Sequence, residues 1–99
     1  MTLTTDNKKR FRTIGHGLKP VVTIAGNGLS EGVYGELDRA LLDHELIKVK
    51  LAIEDRESRR AIIKDMCKTT KAELVQSIGK IVLIYRESNK PKLRTSKVR

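Results

Sequence analysis

The stretch Lys19-Pro20-Val21-Val22-Thr23-Ile24-Ala25-Gly26-Asn27-Gly28-Leu29-Ser30-Glu31-Gly32-Val33-Tyr34-Gly35 decides the fold. Its β-branched run, Val21, Val22, Thr23 and Ile24, favours a strand. Gly26 and Gly28 then permit a sharp turn that leaves the backbone bare, and Ser30 offers a hydroxyl to cap a helix starting at Glu31. A strand that ends in a bare turn against a helix N-terminus presents partly positive N–H groups, for which phosphate is the natural visitor.

Two glycine patterns compete for this loop. Gly26-x-Gly28-x-x-x-Gly32 imitates a dinucleotide fingerprint, but its third glycine comes one position late and the chain is too short for a doubly wound nucleotide domain. The four-residue G-x-x-G loop of RNA-binding KH domains falls on Ala25-Gly26-Asn27-Gly28, with alanine in place of the first glycine. A third reading is a tight strand-to-helix connection with no ligand at all.

Downstream, Val33, Leu37, Ala40 and Leu41 form a core-facing stripe on a helix over 31–43, with Glu36, Asp38 and Asp43 off the stripe and Leu29 placed to staple its start. Residues 46–53 alternate, Ile47, Val49, Leu51 and Ile53 on one face and Lys48 and Lys50 on the other. The resulting β-α-β unit predicts parallel strands. Asp55 caps a helix over 56–70 with apolar Ile62, Ile63, Met66 and Cys67. On that helix Arg56, Arg60, Lys64 and Lys68 recur every fourth residue, a phosphate track or a salt-bridged solvent face. Strands at 73–78 and 81–86 form an antiparallel hairpin around Gly79.

Upstream, residues 4–15 read as a basic helix capped by Thr4 or Thr5, with Phe11 and Ile14 on one face, ended by Gly15 and Gly17. The order is α-β-α-β-α-β-β, an α/β sandwich whose mixed four-stranded sheet is expected to carry its helices on one face. The domain occupies 1–87, and 88–99 is expected to be a flexible basic arm.

Charge narrows the partner. The 99 residues carry 21 Lys+Arg against 12 Asp+Glu, a net +9, and residues 1–19, 20–43, 44–85 and 86–99 contribute +4, −3, +3 and +5. So directional an excess points to a polyanion. No segment reads as a membrane span, a Trp/Phe-rich interfacial helix or a signal peptide, so the expectation is a cytoplasmic protein with no membrane partner. One cysteine and two isolated histidines compose neither a disulfide nor a zinc site, and no nucleophile-base spacing stands out. No enzyme, metal or cofactor is expected.

Four blocks in order carry a family resemblance: Leu18 to Val22, the glycine loop with Leu29 to Val33, His44 to Lys50, and Val75 to Arg86. Together they resemble the CRM domain, the RNA-binding module of small bacterial YhbY proteins and plant organellar splicing factors, and at this length the stand-alone bacterial form. The resemblance implies a fold similar to the C-terminal domain of translation initiation factor three, RNA as ligand, and association with large-subunit ribosomal precursor particles. It places RNA contacts on Ala25, Gly26, Asn27 and Gly28. Because the loop departs from the family pattern, weight shifts to Lys19, Lys48, Lys50, Arg56, Arg60, Lys64, Lys68 and Lys80. A monomer is expected. The rival reading is a ribosome-associated protein-protein adaptor whose acidic second helix meets a basic partner, and DNA is a third candidate that lacks a base-reading helix here.

Overall fold

In a computed structural model, which describes residues 3–26 and 28–87, the elements follow the expected order: α1 (Thr5–Gly15), β1 (Pro20–Ile24), α2 (Glu31–His44), β2 (Leu46–Leu51), α3 (Arg56–Thr70), β3 (Glu73–Ile78) and β4 (Ile81–Tyr85). The arm expected at 88–99 lies outside the described residues, as does Asn27. Each helix starts where its cap dictates. Thr4 Oγ1 accepts from Asn7 N at 3.1 Å, Ser30 Oγ from Val33 N at 3.2 Å, and Asp55 Oδ2 from Ser58 N at 2.9 Å. These side chains satisfy donors that the first helical turn leaves open.

The strands lie in the order β1-β2-β4-β3, with β1 parallel to β2 and the other two pairs antiparallel. The central β2–β4 pairing is regular from Leu46↔Tyr85 to Lys50↔Ile81. Both outer pairings slip, β1–β2 between Pro20 and Val22 and β3–β4 between Leu74 and Gln76. In β3 the slip leaves Val75 as an extra residue, a β-bulge that resets which face the following side chains take.

One sheet face meets α2 and α3. Val22, Ile24, Ile47, Val49, Leu51, Val82 and Ile84 pack there with Leu37, Leu41 and Met66, joined by half-buried Leu29, Val33, Ala40, Ile62, Ile63 and Cys67. Helix α1 lies on the opposite face, where Phe11 packs with Leu3, Leu46, Val75, Leu83 and Tyr85. The expectation of helices on one face is therefore corrected: the sheet is covered on both sides. Strict alternation explains it, because Leu46, Leu83 and Tyr85 project opposite to Ile47, Val82 and Ile84 and require their own cover. The Phe11 and Tyr85 rings stack with centroids 4.6 Å apart. Gly15 lets the helix end approach β4, since a Cβ there would fall 2.6 Å from Leu83 Cδ2.

At the far end of α3 an arginine ties the layers together. Arg86 donates to Asp38 Oδ1 at 2.6 Å, to the Asp38 carbonyl at 3.1 Å and to the Thr70 carbonyl at 2.9 Å, joining α2 to the last turn of α3.

Candidate nucleic-acid interface

Parallel pairing of β1 with β2, and the β3–β4 hairpin beside them, bring three connections to one end of the sheet. Ala52 N donates to the Ile24 carbonyl at 2.8 Å, and Leu51 N to the Lys80 carbonyl at 2.7 Å. The glycine loop after β1, the 52–55 segment leading into α3 and the Gly79–Lys80 turn therefore share this end. The N-terminus of α3 rises from it.

Between α3 and β3 opens a groove of about 780 Å³, lined by Arg56, Arg59, Arg60, Ile63, Lys64, Cys67, Leu74, Ser77 and Gly79. Spacing by four residues puts Arg56, Arg60 and Lys64 on successive turns of one helix face, about 6 Å apart along the axis. The bulge at Val75 supplies the other wall. By pairing Leu74 with Ile84 and Ser77 with Val82 across the extra residue, it turns both toward the α3 side and sends Gln76 to the other. Four of the lining residues are cations and none is acidic.

The neighbouring charges are already engaged. Arg59 Nη1 donates to the Ile53 and Glu54 carbonyls, each at 2.7 Å, which fixes the approach to α3. Lys80 Nζ pairs with Glu54 Oε1, and this contact holds the Glu54 carboxyl below the usual carboxylate range. The Asp55 carboxyl is likewise lowered, chiefly by the Ser58 hydroxyl and then by the Ser58 amide. Burial pushes the Cys67 thiol up, so the groove floor carries no anion at neutral pH.

The residues expected to contact RNA thus fall into separate places. Arg56, Arg60 and Lys64 converge in the groove, whereas Lys68 is exposed farther along α3 and is not among the groove-lining residues. Lys80 is tied to Glu54 at the same end. Lys48, on the α1 face, lines two smaller clefts, one with His16, Gln76 and Ile78 and one shared with Lys19 and His44. Lys50 is exposed. In the glycine loop, Ala25 and Gly26 are exposed, and Gly28, at φ 76°, donates its N–H to the Ala25 carbonyl at 2.9 Å. The loop closes on itself as a turn, and neither Gly26 nor Gly28 lines the groove. Sequence reasoning missed Leu74 and Ser77, because only the bulge turns them to the same side as the basic stripe.

No helix among the described residues is long and apolar enough to cross a membrane, and no cluster of His, Cys, Asp and Glu among them is suited to hold a metal ion.

Comparison with known proteins identifies relatives of the whole chain. The chain is 54% identical over 98 residues to a probable RNA-binding protein of Pseudomonas aeruginosa, covering 99% of this chain and 94% of that one. It is 47% identical over 93 residues to an RNA-binding protein of Haemophilus influenzae, covering 94% of each. Its fold matches the solution structure of a hypothetical Staphylococcus aureus protein described as a candidate RNA binding protein, with a TM-score of 0.80, 32% identity, and coverage of 93% of this chain and 96% of that one. The family model of the CRS1 / YhbY (CRM) domain spans residues 3–86, and the chain belongs to that family.

Proposed function

We propose that the protein binds RNA, gripping the sugar-phosphate backbone through the cationic wall of the α3–β3 groove, and that it does so as an accessory factor on precursors of the large ribosomal subunit. One observation carries the reading: three cations one helical turn apart, in a groove with no acidic residue in its lining, on a chain of net charge +9. A surface of this kind neutralises successive phosphates and releases their counterions, which favours polyanions over other partners. RNA-binding relatives of nearly the same length support RNA as the polyanion. The precursor-particle role follows from the likeness to stand-alone YhbY proteins, which is also where a cytoplasmic location belongs.

A salt series tests the first half. Affinity for RNA should fall log-linearly with salt, and absence of binding at ~50 mM salt, where such contacts are strongest, refutes it. Crosslinking in cells followed by mapping of the attached RNA tests the second half. Recovery of ribosomal proteins without crosslinked precursor rRNA would favour the adaptor reading instead.

A further inference from the structure

The groove has two kinds of wall, and a string of phosphates accounts for only one of them. Its α3 rim is cationic, but the surface beneath consists of Ile63, Cys67 and Leu74, with the Ser77 hydroxyl beside them. Leu74 is 39% exposed and joins Ile63 and Cys67 in one apolar surface under the cationic rim. Strand β3 is one of the two outer strands of the sheet, and among the described residues no strand lies along its outer side. A duplex stacks its bases inward and presents phosphates and sugars, so it would touch the rim and leave this floor wet. A single strand has both parts, a charged backbone for the rim and flat, largely apolar bases whose edges seek hydrogen bonds.

We infer that the α3–β3 groove seats unpaired nucleotides, phosphates along Arg56, Arg60 and Lys64 and bases against Leu74 and Ile63. This rests on the RNA-binding reading above and specifies its ligand as single-stranded rather than double-helical RNA. The cavity of about 780 Å³ leaves room for bases as well as for the backbone. Guanidinium planes on the rim add faces on which a base can stack. Ser77 is placed to meet a base edge with a group that both donates and accepts.

The test uses the full chain, an oligoribonucleotide of about ten nucleotides, within the range of site sizes known for single-strand binders, and the blunt duplex of the same sequence. Anisotropy is read over a salt series. The single strand should bind markedly more tightly than the duplex. Leu74→Gln should weaken single-strand binding on the order of fivefold, leaving its salt slope and duplex binding unchanged, as expected when base contact and not charge is lost. Ser77→Glu, at another exposed position of the floor, should weaken single-strand binding more than duplex binding, and circular dichroism confirms that both variants are folded. Equal affinity for duplex and single strand, or single-strand binding untouched by both substitutions, overturns base seating while RNA binding stands. Failure of the unaltered protein to bind either RNA at low salt overturns both.

Discussion

The glycine loop and the α3–β3 groove stand at the same end of the sheet and are built in opposite ways. In the loop, Gly28 N closes on the Ala25 carbonyl, and nothing lies within 4 Å of where a Cβ would sit on Gly26 or Gly28. The groove is made largely of side chains from two elements, with charge along the α3 rim and apolar atoms of Ile63, Cys67 and Leu74 beneath it. A bare loop can approach a ligand but holds little of it, especially when an amide is already engaged within the turn. A groove with both charge and apolar surface supplies affinity and selection together. Under the proposed reading grip falls to the groove, and substitutions in the two regions test whether the loop adds to it.

The sharpest way to break that division is to remove the groove's charge. Replacing Arg56, Arg60 and Lys64 together by Gln should lower affinity for single-stranded RNA on the order of 10²-fold at ~50 mM salt and reduce the salt slope by about 2, at ~0.7 per lost phosphate contact. An unchanged slope would move the binding surface elsewhere, with the Lys48 clefts the first place to look.

The loop gives a smaller and different response. Gly28→Ala forces a side chain into a left-handed conformation at φ 76° and should cost about 1–2 kcal/mol of stability in denaturant unfolding. Gly26→Ala, in open space, should stay within about 0.5 kcal/mol. Once folded, both should bind RNA nearly as the unaltered protein does. A loss of affinity in Gly26→Ala without a loss of stability would restore the loop as a contact surface.

Between the two regions stands Glu54, whose carboxylate occupies Lys80. Glu54→Gln should release that ammonium and remove an anion, raising RNA affinity severalfold in the same assay. No change would mean that Lys80 points away from the bound strand.

The smallest effect is with pH. Asp55 has a lowered carboxyl in the folded protein, so its contribution to stability is complete above the ordinary carboxylate range and is lost as pH falls through that range and below it. An acid titration followed by circular dichroism should show the unaltered protein losing stability relative to Asp55→Asn, whose cap carries no charge.

Element order and helix starts were legible because local chemistry sets them. Thr4, Ser30 and Asp55 act as caps, and the alternation of 46–51 fixes a strand whatever surrounds it. The side taken by α1 was not legible. Phe11 and Ile14 announce an apolar face, but a sheet has two, and the choice depends on which strand positions still lack cover. Half of the groove was legible, since i+4 spacing aligns Arg56, Arg60 and Lys64 on one helix face wherever the helix goes. The other half was hidden in a pairing slip at Val75, which no propensity marks. Glu45, fully buried at φ 63° between α2 and β2, was equally unmarked in the sequence.

The two pairing slips, at opposite margins of the sheet, have a consequence for the molecule in a crowded solution. A straight outer strand invites a strand from another copy to zip onto it, the first step toward fibres. Here Pro20 and the irregularity beside it interrupt one margin and the Val75 bulge the other, while the regular pairing is confined to the interior. Among the described residues, the strand beside the groove is thereby a poorer template for a second copy.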